Sequence, residues 1–308
     1  MINTLITIHP EAAAKVIESE GIVIFPTETV YGIGASAFLH DSCRRIYSIK
    51  NRPEDNPLII HVHTPELIPE MGYFPDFAQV LLGQSEHPLT FILRKKNNNL
   101  FSGNLDTIAI RSPHMPLAKK FLQHSGPVSA PSANISGKPS ITGFTDAVEI
   151  FNGKVDCILQ GDDSSIGLES TIIDLTRDIP LYARPGSFSF EKIRQILPTI
   201  VRHGDKTQTN VIPGLKYKHY APDAKIVLIE NCQEVESKLN SAYIGFDKCN
   251  NTSESLYLKN NREYMHFLYR FFIDCDRKKM EVIYCQYPKE DEFQEALLNR
   301  LQKAAQGK

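Results

Sequence analysis

Ser129-Ala130-Pro131-Ser132-Ala133-Asn134-Ile135-Ser136-Gly137-Lys138-Pro139-Ser140 is the stretch on which the reading of this chain turns. Its twelve residues carry five hydroxyl or amide side chains and too little aliphatic bulk to form a core element. A loop this small and polar lets a ligand come close to the backbone. Its hydroxyls and N–H groups can donate to anionic oxygens. A surface turn is the commoner fate of such a run. Three more polar clusters of the same character in the first 190 residues shift the reading towards a binding loop.

Working outward from that loop, a helix is expected at 116–124 and a short strand at 107–111 that ends on a cation, Arg111. Strands are expected at 89–95 and at 58–63, where period two puts Ile59, His61 and His63 on one face. Nearer the start, 10–19 reads as a helix with Pro10 in its first turn and 22–25 as a buried strand stopped by Pro26. A second helix is expected at 41–50, capped by Asp41 or Ser42. Downstream, helices are expected at 145–151 (Thr145 as cap) and 189–197 (Ser189 as cap), and strands at 155–160, 170–175 and 181–184. Irregular alternation of strands and helices predicts an α/β fold with a mixed sheet rather than a strictly doubly wound one. The pattern changes near 200. Residues 202–222 read as a polar, basic linker, and 223–308 as a second, smaller α/β domain behind a first domain at 1–201.

The bulk properties agree with a two-domain globular chain. It has 308 residues, 42% of them hydrophobic and 23% charged. A net charge of −2 gives no global basic field for non-specific nucleic-acid binding. No apolar run approaches the ~20 residues of a membrane span, and residues 1–10 do not read as a signal peptide. The six cysteines lie far apart without a C-x-x-C. That argues against a zinc site or disulfide framework and for a reducing cytoplasm.

Lys50, Arg52, Arg111 and Arg184 each stand beside an expected loop together with small polar or turn residues: Asn51 and Asn56, Thr107 and Ser112, Pro185 and Gly186. An isolated surface cation is usually solvated. Loops that gather Arg, Lys, Ser and Asn suit a polyanion, because guanidinium grips phosphate or carboxylate as a bidentate fork. Each such contact contributes about 1.5–3 kcal/mol. Neither common phosphate loop is present: position 132 is Ser where a P-loop ending at Gly137-Lys138 needs Gly, and Gly32-Ile33-Gly34 lacks a third glycine because position 37 is Ala. His61 and His63 have metal-binding spacing but no clear third ligand, so one His lining a pocket is the preferred reading. Ser132, Ser140 and Ser170 lack a nucleophile elbow and read as donors. Glu28 and Glu169 are the carboxylates nearest the polar clusters. A role with Mg²⁺ or an amine and a plain surface role weigh equally for them.

Taken in order, Pro26-Thr27-Glu28-Thr29-Val30-Tyr31-Gly32, Lys50-Asn51-Arg52-Pro53 with Asn56-Pro57-Leu58, Ser129 to Asn134, Ser170-Thr171 and Arg184-Pro185-Gly186 resemble the YrdC family, specifically its L-threonylcarbamoyladenylate synthases. The resemblance covers about residues 10–200. Residues 213–222 resemble the linker of the two-domain form, and 299–305 the end of its second domain. This chain has Glu290-Asp291-Glu292-Phe293 where that domain usually shows a Gly-rich stretch.

The resemblance implies an open twisted α/β sheet with a concave, positively charged face. It also implies a reaction: L-threonine, bicarbonate and ATP, with Mg²⁺ on the triphosphate, give threonylcarbamoyl-AMP and pyrophosphate, without a tightly bound organic cofactor. The product feeds threonylcarbamoyl modification of adenosine 37 in tRNA through a downstream threonylcarbamoyl transferase complex. By motif position, threonine contacts fall on Thr29, His61, Arg111, Ala130 and Ser170. ATP contacts fall on Arg52, Asn56, Thr107, Ser132, Ser140, Arg184 and Tyr220. Lys50, Arg52 and Arg111 carry the catalytic charge, and Tyr220 folds back as a lid. No protein nucleophile is needed. A competing reading is a non-catalytic tRNA-binding module of the same fold, with a weak tRNA contact. The near-neutral charge and the lack of interleaved surface aromatics weigh against it. A related carbamoyl transfer, as in hydrogenase-maturation proteins, belongs to much larger chains.

Overall fold

A computed structural model describes residues 2–202, 220–236 and 239–306. Of the expected linker at 202–222, with its motif at 213–222, residues 203–219 lie outside the described residues.

The first part of the chain runs β1 (Leu5–Thr7), α1 (Pro10–Glu18), β2 (Val23–Phe25), β3 (Gly32–Ser36), α2 (His40–Lys50), β4 (Ile59–His61), α3 (Ile68–Met71), β5 (Leu89–Arg94) and β6 (Thr107–Arg111). It continues through α4 (Pro116–Ser125), β7 (Val128–Ala130), α5 (Phe144–Phe151), β8 (Cys157–Leu159), β9 (Thr171–Asp174), β10 (Leu181–Arg184), α6 (Phe190–Ile196) and β11 (Val201–Arg202). Among the described residues these strands form one sheet, ordered β1-β8-β2-β3-β7-β4-β6-β5-β9-β10-β11. It is mixed: β4 and β6 run parallel, while β7 runs antiparallel to both β3 and β4. The rest is β12 (Lys225–Ile229), β13 (Ser241–Gly245), β14 (Glu254–Tyr257), α7 (Asn261–Arg277), β15 (Val282–Gln286) and α8 (Gln294–Ala305). Its sheet, ordered β12-β15-β13-β14, is parallel throughout.

Physical patterning accounts for most elements. Pro10 opens α1, whose Ala13, Ala14 and Ile17 form the buried stripe. α6 starts on Ser189, whose side chain accepts the Lys192 N–H. Elsewhere the caps differ from expectation. α2 starts one residue early, behind Leu39, and α5 behind Gly143, neither with a side-chain cap. The edge strand β1 is held by parallel pairing of Leu5, Ile6 and Thr7 with Cys157, Ile158 and Leu159.

The cysteine reading needs correction. Cys232 and Cys249 are disulfide-bonded, with Cα atoms 5.5 Å apart. Cys232 follows β12 and Cys249 follows β13. Both strands run parallel to β15, so residues distant in sequence arrive at the same end of the sheet. Cysteine usage therefore does not argue for a reducing compartment. Cys43, Cys157, Cys275 and Cys285 are buried free thiols. Among the described residues no helix is long and apolar enough to cross a membrane.

The two parts meet in an apolar cluster. Val30 and Leu168 from the first part join Tyr264, Leu268, Tyr269 and Leu297 of α7 and α8 in one apolar cluster. Beside it, Arg270 and Arg277 of α7 pair with the fully buried Asp146 of α5.

Candidate active site

The middle of the large sheet builds a cavity. The turn joining β2 to β3 supplies Thr27, Thr29, Val30 and Tyr31; the ends of β4, β6 and β10 supply His61, Arg111 and Arg184. Ala130, Pro131, Ser132, Asn134 and Ser136 come from the polar loop, Lys50 and Arg52 from the end of α2, and Glu169, Ser170 and Tyr220 complete the wall. The loop at 129–140 lies alongside the 26–33 turn because the two exchange backbone hydrogen bonds. Ile33 N–H donates to the Pro131 carbonyl (3.1 Å), Tyr31 N–H to Ile141 (2.8 Å) and Ala133 N–H to Tyr31 (2.6 Å).

Lys50 is buried, and its ammonium donates to the carbonyls of Ser132 (2.7 Å) and Asn134 and to Asn134 Oδ1 (3.2 Å). Those are three acceptors for three N–H donors. Its charge is thereby spent on fixing the loop's shape. Burial, then Arg52, lowers its pKa well below the usual lysine range. Asn134 completes the same knot: it accepts from Ser132 Oγ (2.7 Å) and donates to Ile135 and Lys138 carbonyls (2.9 Å each). Arg52 donates to the Asn56 and Pro57 carbonyls, each at 3.0 Å. Burial pulls its guanidinium down to about 10.

At the end of β6, Arg111 is 4% exposed and is gripped by Glu28 and by Thr29 Oγ1 (2.9 Å). Its buried Nε has no acceptor among the described residues. A buried unmet donor costs about 1–3 kcal/mol, so this edge of the guanidinium suits an anionic ligand oxygen. Glu28 is itself buried and also accepts the His114 N–H (3.1 Å). Burial, then neighbouring Arg111, takes the His61 imidazole down to about 3, so the ring is neutral. Its Nδ1 meets the Ile59 carbonyl at 2.9 Å, and Phe25 packs edge-on against it at 5.6 Å. Ser170 Oγ shares a 2.7 Å hydrogen bond with Thr90, and Arg184 donates to the Ser170 carbonyl from Nε (3.1 Å) and Nη2 (2.9 Å).

Most expected site residues meet at this cavity: Thr29, Lys50, Arg52, His61, Arg111, Ala130, Ser132, Ser170, Arg184 and Tyr220. Three are not among its lining residues. Asn56 sits behind Arg52. Ser140 is fully buried and donates to Glu169 at 2.6 Å. Thr107 lies at the far end of β6 from Arg111, paired with Arg94. Glu28 and Glu169 are not surface groups, which corrects the surface alternative. His63 is not among the lining residues. Among the described residues there is no cluster of three metal-ligating side chains.

Residues 15–186 match the Sua5/YciO/YrdC family model, described as telomere recombination. Residues 188–306 match the Sua5 C-terminal model, described as the threonylcarbamoyl-AMP synthase C-terminal domain. This chain belongs to the Sua5/YciO/YrdC family. It is of the Sua5 form, with the additional C-terminal domain. It is 36% identical over 315 aligned residues to the threonylcarbamoyl-AMP synthase of Pyrococcus abyssi, covering 95% of this chain and 93% of that one. It is 40% identical over 233 residues to the Bacillus subtilis threonylcarbamoyl-AMP synthase, covering 73% and 67%. The crystal structure of P. abyssi Sua5 complexed with L-threonine superposes with a TM-score of 0.89 at 35% identity, covering 100% of this chain and 98% of that one.

Asn134 and Arg300 lie inside stretches that the sequence marks, the polar loop and the 299–305 tail, without being assigned to the site, and Tyr269 lies in none. Asn134 stands inside the quoted loop, so a signal was present. Tyr269 and Arg300 carry no local signal of a site role, because each reads as one more residue of an amphipathic helix.

Proposed function

We propose that this chain is a threonylcarbamoyl-AMP synthase, a nucleotidyltransferase that joins L-threonine, bicarbonate and the AMP part of ATP and releases pyrophosphate. The observation that carries the reading is one cavity lined by three guanidinium groups. Arg111, braced by Glu28 and Thr29, comes from the end of β6, Arg184 from the end of β10 and Arg52 from the end of α2. The relatives' names and the L-threonine complex of P. abyssi Sua5 support it.

Threonine's carboxylate is assigned to Arg111, with Thr29, His61, Ala130 and Ser170 around the amino acid. A neutral His61 adds no charge beside the amine. The amine reacts with bicarbonate-derived CO₂ to give a carbamate. A carbamate oxygen attacks the α-phosphorus in line, the bond to the bridging oxygen breaks, and pyrophosphate leaves with that electron pair. Catalysis by position and charge needs no protein nucleophile. Arg52 and Arg184 face the phosphates. Mg²⁺ brought with ATP would take part of the triphosphate charge. Ser132 and the loop pinned by Lys50 shape the nucleotide side, and Tyr220 covers it. Asn56 and Ser140 act from behind, through Arg52 and Glu169. Thr107 keeps its assigned ATP contact only if the nucleotide reaches along β6. The further reading is a cytoplasmic role in threonylcarbamoylation of adenosine 37 in tRNA, with hand-off to a separate transferase complex.

The test is pyrophosphate release from ATP, with and without threonine and bicarbonate, and with serine as the control amino acid. Release that needs both co-substrates and favours threonine is expected. ATP binding without release, alongside salt-sensitive RNA binding, would replace this reading with the RNA-binding module.

A further inference from the structure

Among the described residues, Glu169 is the one carboxylate lining the cavity. It is held largely from the other domain. Its Oε1 accepts from Ser140 Oγ at 2.6 Å, but its Oε2 accepts from Tyr269 of α7 (3.0 Å) and from Arg300 Nε of α8 (3.1 Å). Arg300 is fully buried and reaches further. Its Nη2 donates to the Glu169 carbonyl (3.3 Å) and its Nη1 to the Pro185 carbonyl (2.8 Å). One guanidinium thus ties together the segment carrying Ser170 and the segment carrying Arg184. The Tyr220 ring stacks on Tyr269 (5.3 Å between centroids) and lies over the Arg300 guanidinium (5.6 Å).

We infer that Arg300, a residue of the C-terminal domain, positions the nucleotide side of the cavity by fixing Glu169, the Pro185 backbone and the Tyr220 ring together. The inference rests on the ATP and threonine reading above. A buried ion pair is a poor choice for stability alone, because apolar side chains of similar volume often do as well or better. A fork with five donors that satisfies two loops at once suits positioning. The amino-acid side is braced within the first domain: Thr90 holds Ser170 Oγ, and Glu28 holds Arg111. Loss of Arg300 should therefore separate the two substrates.

The experiment measures KM for ATP and for threonine by pyrophosphate release in the full-length wild type, Arg300→Met, Arg300→Lys and Tyr269→Phe, with a thermal melt of each. Arg300→Met is expected to raise the ATP KM about tenfold or more and to leave the threonine KM within about twofold. Arg300→Lys, which can restore one contact, should fall between it and wild type. Tyr269→Phe, which removes only a hydroxyl, should raise the ATP KM about threefold. A folded variant with an unchanged ATP KM, or with both KM values rising together, overturns the inference. Should Arg300→Met fail to fold, the two milder variants decide by the same criterion. A wild type that releases no pyrophosphate overturns the functional reading instead, and ATP and threonine affinities from titration then test Arg300 by the same split. A chain that binds no ATP overturns both.

Discussion

Arg111 and His61 are neighbours whose charges are set by what buries them. Glu28 pairs with Arg111, and burial together with the neighbouring guanidinium keeps His61 neutral. Arg111→Ala should lower threonine-dependent pyrophosphate release by roughly ten- to a hundredfold, since a charged hydrogen bond to substrate is lost. It should also destabilise the fold by about 3–5 kcal/mol, because Glu28 is left as a buried, uncompensated carboxylate. Steady-state kinetics and denaturant unfolding check the two parts. His61 gives a pH prediction. The folded ring titrates near about 3 and the unfolded one near 6.5. Between those values the unfolded chain binds the extra proton, so stability rises with pH. This contribution is complete above 6.5 and lost as pH falls towards 3. Unfolding midpoints at pH 4 and pH 7 should differ less in His61→Asn than in wild type; an equal difference would show that other groups dominate.

At the scale of elements, the cavity depends on loops whose backbones approach closely. A Cβ on Gly186 would stand 2.3 Å from Thr171 N and 2.7 Å from the Ser170 carbonyl carbon. Backbone cannot yield as a side chain does, so Gly186→Ala should cost about 1–3 kcal/mol and displace Arg184. A lowered melting temperature together with a raised ATP KM is the expected result, and a wild-type ATP KM would show that the segment moves without consequence. How far such elements could be read from sequence follows their chemistry. The strands at 107–111 and 181–184 were legible to the residue, because short aliphatic runs bounded by polar turns are a clear strand signal. β3 was missed because its sequence, Gly-Ile-Gly-Ala-Ser, puts two glycines and two small residues where strands favour branched ones. The site's cations were legible from their local company of Ser, Asn, Pro and Gly. Their engagements were not. Glu28 lies 83 positions from Arg111 and Glu169 lies 131 from Arg300, and no local pattern announces a contact over that distance. Lys50 is the instructive case, because the sequence marks a cation and only the fold shows that its three donors are already used.

At the scale of the whole molecule, the C-terminal domain backs one side of the cavity through the contacts of Tyr269 and Arg300 with Glu169 and Tyr220. Gly167 sits at that junction with φ of +83°, and a Cβ there would meet the Met265 carbonyl oxygen of α7 at 2.4 Å. Gly167→Ala combines a disfavoured backbone with a backbone clash. It should loosen the docking of α7 and separate thermal unfolding into two transitions; a single transition at the wild-type temperature would contradict tight docking. The ion pairs at Asp146 should add to this docking only modestly in salt, since Arg270 and Arg277 are 37% and 30% exposed. Under the proposed reaction the cavity joins threonine, bicarbonate and AMP. The most direct measurement supplies ATP, threonine and ¹³C-bicarbonate and identifies the adenylate by mass spectrometry. The account predicts a threonylcarbamoyl-AMP that carries the label, formed in step with pyrophosphate. An unlabelled adenylate, or ATP cleaved to ADP and phosphate, would contradict it.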